Sequence, residues 1–112
     1  MLLGHINIET IFNELKPLFK KEGETILKTS KRYIESDNSS ILVESMAIEG
    51  GNKTDFLTLI GKRDDGIVIR ISPLKEVEKT NGLKRILAET AKQIMSNHPE
   101  YTVGKTNLNE WL

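Results

Sequence analysis

Apolar and polar residues alternate on both sides of Asp64-Asp65-Gly66, over residues 56–63 and 67–72. Alternation with a period of two is typical of half-buried strands, so residues 56–72 are predicted to form a β-hairpin. Gly66 at the fourth turn position favours a three-residue loop that Gly66 closes in the left-handed conformation. That register turns one set of side chains toward the helices, namely Leu57, Leu59, Gly61, Ile67, Ile69 and Ile71.

The same register turns Phe56, Thr58, Ile60, Lys62, Val68, Arg70 and Ser72 to the opposite side. A two-residue Asp65-Gly66 turn would shift the pairing by one residue, place Lys62 opposite Ile69 and mix apolar with charged side chains on each face. The separation of apolar from charged positions therefore favours the three-residue loop.

Residues 24–35 and 41–49 are predicted to form two further strands. Three basic residues lie between positions 28 and 32, a composition typical of edge strands. In the second strand, Ile41, Val43, Ser45 and Ala47 are expected to face the helices, because the opposite choice would bury Glu44. Short polar turns connect these strands to the hairpin, and this arrangement predicts a four-stranded antiparallel meander.

Residues 7–22 carry an apolar stripe with helical spacing: Ile8, Ile11, Phe12, Leu15, Leu18 and Phe19. Asn7 suits the N-cap position. Pro17 lies inside the stripe, and we expect it to kink this helix without ending it, since the stripe continues beyond it.

A second main helix is predicted over residues 83–97, with His98-Pro99 at its end. Asn81-Gly82 separates it from a short helix that begins after Ser72 and runs to about Thr80. Residues 101–103 suit a short fifth strand, and residues 107–112 a last helical turn in which Trp111 anchors the chain end. The order α-β-β-β-β-α-(β) predicts an α+β two-layer sandwich with both main helices on one face of the sheet.

The chain has 112 residues, with 16 basic and 16 acidic side chains and no cysteine. This length suits a single domain spanning residues 1–112. The absence of cysteine excludes disulfides and thiolate chemistry and suits a reducing, cytoplasmic environment. There is no signal peptide and no apolar run that could span a bilayer, so we expect no membrane association.

Few residues suggest chemistry. Gly104-Lys105-Thr106 resembles the end of a phosphate-binding loop, but Pro99 occupies the position of the first required glycine. Only two histidines are present, His5 and His98, too few for a convincing metal site. Asp64 and Asp65 suit a turn. We therefore predict no catalytic residue, no metal ligand and no cofactor.

The feature that does suggest function is the side of the sheet that two helices on one face leave uncovered. Large exposed apolar surfaces usually mark interfaces. This side is predicted to mediate protein binding and homodimer formation in a non-catalytic binding or adaptor module, unless the chain end with Trp111 covers it. The candidate interface residues are Met46, Ile48, Phe56, Ile60 and Val68.

A first alternative is nucleic-acid binding. If the first and last strands of the meander came together, four cations would form a basic stripe suited to anion binding: Lys28, Arg32, Lys62 and Arg70. The scarcity of aromatic residues, 5% of the chain, weighs against it. A small enzyme without a recognisable motif is the second alternative.

Overall fold

A computed structural model describes residues 2–4, 7–73, 77–78 and 80–103. In chain order its elements are β1 (Leu2–Leu3), α1 (Ile8–Glu14), β2 (Phe19–Glu22), β3 (Thr25–Ile34), β4 (Ser40–Glu49), β5 (Asn52–Arg63), β6 (Gly66–Ile71), α2 (Asn81–Asn97) and β7 (Thr102–Val103). Across the residues described, no helix is long and apolar enough to cross a membrane.

The strands form one antiparallel sheet within the described residues, in the order β2-β3-β4-β5-β6-β1-β7. Strands β3 to β6 are the predicted meander, and the α+β class with an antiparallel sheet is confirmed. The prediction of four strands is wrong, because β2 extends one side of the meander and β1 the other. The predicted short strand near residue 102 is present as β7, and its partner is β1.

Helix α1 is shorter than predicted. Asn7 caps it, and the Asn7 side chain accepts a 2.7 Å hydrogen bond from the Thr10 backbone N–H. The helix ends at Glu14, and Leu15 is already extended. Pro17 lacks an N–H and disfavours the helical conformation of the residue before it, so it ends the helical segment instead of kinking it.

The residues after Pro17 form β2, an edge strand that turns at Gly23, whose φ is +58°, and pairs with β3. Residues in and just before β2 contact a row of side chains along α2. Arg85 donates a 2.7 Å hydrogen bond to Glu22, the Lys20 ammonium lies 3.3 Å from Glu89, and the Lys16 N–H donates to Gln93 at 2.8 Å. The hydrogen bond and charge of Arg85 lower the pKa of the Glu22 carboxyl. The segment is therefore attached to α2 as well as to β3.

Helix α2 begins two residues earlier than predicted. Thr80 is its N-cap, and the Glu49 carboxylate, at the end of β4, accepts hydrogen bonds from the Thr80 hydroxyl at 2.6 Å and from the Gly82 N–H at 2.8 Å. A Cβ on Gly82 would lie 2.6 Å from the Glu49 carboxyl carbon, so glycine allows this close approach. Of the short helix predicted before α2, residues 74–76 and 79 lie outside the described residues, and Val77 and Glu78 are not helical.

The hairpin between β5 and β6 has neither of the registers considered above. Arg63 pairs with Gly66 and Ile60 with Ile69, which leaves a two-residue Asp64-Asp65 turn. Gly66 is not in the left-handed conformation. An added Cβ on Gly66 would lie 1.9 Å from the Leu2 carbonyl oxygen, so the close approach of β1 explains this glycine.

Both helices pack on one side of the sheet, here called the inner face. Ile8, Ile11 and Leu15 from the α1 segment share a core with Leu87, Ala91 and Ile94 of α2. As predicted for β4, Ile41, Val43 and Ala47 are buried on this face. The one-residue change in the hairpin register exchanges the two sides of β5, so Phe56, Thr58 and Ile60 lie in the core and Leu57 and Leu59 point away from it.

The outer face of the sheet as a candidate functional site

The side of the sheet opposite the helices is here called the outer face. Directly paired residues on antiparallel strands point to the same side, so the strand registers define its members. Strands β2 to β6 place the following side chains on it: Phe19, Lys21, Ile26, Lys28, Ser30, Tyr33, Ser40, Leu42, Glu44, Met46, Ile48, Lys53, Asp55, Leu57, Leu59, Arg63, Val68 and Arg70.

Half of these side chains are apolar or aromatic. Phe19 is 68% exposed and Tyr33 is 48% exposed. Leu42, Met46, Leu57 and Leu59 are half-buried. Since the buried residues of α1 and α2 contact only inner-face residues in the described chain, no helix covers the outer face there.

The predicted interface residues divide between the two faces. Met46, Ile48 and Val68 lie on the outer face, where they were expected. Phe56 and Ile60 do not, because they are 3% and 0% exposed in the core under the helices. Their assignment to an exposed interface is wrong, and the cause is the one-residue register error in β5.

The predicted basic stripe does not form. Lys28 and Arg70 are on the outer face, but β4 and β5 separate their strands. Arg32 and Lys62 pair with the inner-face residues Val43 and Ile67.

Arg32 instead secures the end of α1. Its Nε donates a 2.6 Å hydrogen bond to the Phe12 carbonyl, and its guanidinium lies 4.8 Å from the centre of the Phe12 ring. The carbonyls of the last helical turn have no partner inside the helix, so this contact satisfies one of them. Arg32 therefore has a structural contact where an anion-binding residue was predicted.

Polar groups cluster at one part of the outer face. The Glu44 carboxylate accepts hydrogen bonds from the Tyr33 hydroxyl at 2.9 Å and the Ser30 hydroxyl at 3.4 Å. Beside this group lies an open depression of about 370 Å³. Its lining includes Lys28, Met46, Asp55 and Leu57. The depression therefore carries one ammonium, from Lys28, and two carboxylates, from Glu44 and Asp55. Because it is open and partly apolar, it suits contact with a charged side chain on the surface of a macromolecule.

The hydrogen bond to Glu44 raises the pKa of the Tyr33 phenol, because the carboxylate stabilises the protonated hydroxyl. We expect Glu44→Gln to lower the midpoint of Tyr33 ionisation, since an amide is a weaker acceptor and carries no charge. An alkaline titration followed by tyrosinate absorbance measures this midpoint, and Tyr33→Phe identifies the step that belongs to Tyr33. An unchanged midpoint in Glu44→Gln would contradict the contact.

Among the other titratable candidates, the structure describes His98. His98 is the C-cap of α2, as its position before Pro99 predicts, and its Nε2 lies 2.8 Å from Glu14. Its ring packs edge-on against Tyr101, with centroids 6.1 Å apart. The described residues contain no group of three or more histidines and acids that could hold a metal ion. His5, Gly104-Lys105-Thr106 and Trp111 lie outside the described residues.

Sequence reasoning missed Phe19, Tyr33, Leu57 and Leu59 as outer-face residues. Phe19 was assigned to a helix, although the proline two residues before it is a signal for a helix end. No protein-family model matches the chain, and comparisons with curated proteins and with solved structures found no match.

Proposed function

We propose that this protein is a non-catalytic protein-interaction module that self-associates through the outer face of its sheet. The observation that carries this proposal is the apolar character of that face, from Phe19 on β2 to Val68 on β6, which neither helix of the described chain covers. Contiguous apolar surfaces of this kind are typical of interaction sites on proteins. The absence of cysteine supports a reducing compartment such as the cytoplasm.

The charges on the outer face favour a protein partner over a nucleic acid. Glu44 and Asp55 lie on the two central strands, between Lys28 and Arg70. A phosphate backbone would approach these two carboxylates as closely as Lys28 and Arg70 and would be repelled by them. A protein surface can meet both signs of charge.

A second copy of the chain is the partner that this pattern suits. An isologous interface joins the same surface of two subunits, so that surface must complement itself. The outer face combines central leucines with five cations and two carboxylates, and both carboxylates lie on the central strands β4 and β5. An adaptor role would then use the dimer as the binding unit.

Sedimentation velocity over a range of concentrations tests self-association. We expect a dimer for the unmodified chain and a monomer for Leu59→Glu, because a carboxylate at the centre of an apolar interface loses its hydration. Val103→Glu is the matched control, since Val103 is 40% exposed and pairs with the inner-face residue Leu2. It should leave the dimer intact.

Circular dichroism must show that both variants keep their fold. An unmodified chain that stays monomeric at every accessible concentration would overturn the proposal. If Leu59→Glu does not weaken the dimer, the interface lies outside the outer face.

A further inference from the structure

We propose that in this homodimer the Arg70 side chain of one protomer binds the Tyr33–Glu44 pair of the other. This inference rests on the self-association proposed above and specifies its geometry. It places two outer faces against each other, related by a two-fold axis that runs along the strands between β4 and β5.

The strand registers supply the geometry. Tyr33, Leu42, Leu59 and Arg70 are consecutive direct partners, and they form one row across β3, β4, β5 and β6. Tyr33 and Arg70 occupy opposite ends of this row. A two-fold axis along the strands at the middle of the row exchanges its ends, so Leu42 meets the partner's Leu59 and Tyr33 meets the partner's Arg70.

The chemistry at the ends of this row is complementary. No ion pair within the described part of the chain involves Arg70, and its side chain is exposed. Glu44 is held by the hydroxyl of Tyr33 at 2.9 Å and has capacity for further donors. A guanidinium can donate two hydrogen bonds to a carboxylate and can also stack on a neighbouring aromatic ring.

A second row provides an independent match under the same axis. Lys28, Met46 and Asp55 are direct partners across β3, β4 and β5. The axis places the partner's Asp55 over Met46, next to Lys28, where the two charges can pair. In the protomer, Asp55 lies 3.8 Å from Lys53, and both of these side chains are more than half exposed.

The other symmetric arrangement is less favourable. An axis across the strands at the middle of the face would place Glu44 opposite the partner's Glu44. Like charges directly opposite each other in a desolvated interface are destabilising. Of these two arrangements, only the axis along the strands sets Lys28, Glu44, Asp55 and Arg70 each near an opposite charge of the partner.

Charge reversal with sedimentation velocity tests this pairing. We expect Arg70→Glu and Glu44→Arg each to weaken the dimer by about tenfold or more, because each places like charges together. The double variant should restore most of the affinity, since it exchanges the two charges. Lys62→Glu is the matched control: Lys62 is an exposed cation of β5 that points to the inner face, and its reversal should leave the affinity unchanged.

The possible failures are distinguishable. If the unmodified chain is monomeric, the proposed self-association itself is wrong, and this inference with it. If the unmodified chain and Leu59→Glu behave as expected but the double variant does not regain affinity, the dimer stands and this pairing is overturned. Circular dichroism and thermal melts of each variant separate loss of pairing from loss of fold.

Discussion

Replacement of Ile60 by Ala is expected to lower the free energy of unfolding by about 3 kcal/mol, a typical cost for truncating a buried isoleucine. Ile60 is 0% exposed and belongs to the core that joins both helices to the sheet. The same truncation at its neighbour Leu59 should cost about 1 kcal/mol or less, because Leu59 is only half-buried, on the outer face. Urea unfolding of dilute protein, where the proposed dimer would dissociate, measures both values.

The comparison between these neighbours tests the hairpin register directly. The three-residue loop predicted from the sequence would bury Leu59 and expose Ile60, so it requires the reverse order of costs. Equal costs, or a larger cost at Leu59, would contradict the Asp64-Asp65 turn and the definition of the outer face.

Replacement of Glu49 by Ala is expected to lower the free energy of unfolding by about 2 kcal/mol, because hydrogen bonds to a charged group at a helix N-terminus are stronger than neutral ones. The Glu49 carboxylate accepts hydrogen bonds from the Thr80 hydroxyl and the Gly82 N–H, and it thereby attaches the start of α2 to the end of β4. Glu49→Gln should cost less, since the amide oxygen can still accept one of these bonds.

Thermal and denaturant unfolding check the Glu49 effect. Glu24→Ala is the control, because Glu24 is an exposed acid in the turn between β2 and β3 and its loss should change stability by about 0.5 kcal/mol or less. If Glu49→Ala were no more destabilising than Glu24→Ala, the cap would have no energetic role.

The periodicity of apolar residues correctly predicted those helices and strands whose pattern is complete within a single element. The presence of α2 and the faces of β4 were predicted correctly because their patterns are long and regular. The end of α1 was wrong because Leu18 and Phe19 continue the helical spacing after Pro17, although Leu18 packs on the core from an extended segment and Phe19 is exposed. Their spacing on a helix is a coincidence.

The faces of β5 could not be obtained from local turn preferences. Position 66 requires a glycine because the backbone of β1 passes close to it, and β1 is more than sixty residues away in sequence. A pairing between such distant segments leaves no local pattern. The register error in β5 changed part of the candidate site. Met46, Ile48 and Val68 lie on the predicted face, whereas Phe56 and Ile60 lie on the opposite face because β5 has the other orientation.

The attachment of β2 to α2 determines how such a protein can assemble. An edge strand with open backbone groups can accept a strand from another chain, and repeated addition gives a fibre. Here the edge strand is four residues long and carries Lys20, Lys21 and Glu22. Ion pairs of Lys20 with Glu89 and of Glu22 with Arg85 attach it to α2. Growth in the plane of the sheet is therefore disfavoured on this side. The proposed contact between two outer faces would occupy the interface of each subunit, so that association would end with a closed dimer.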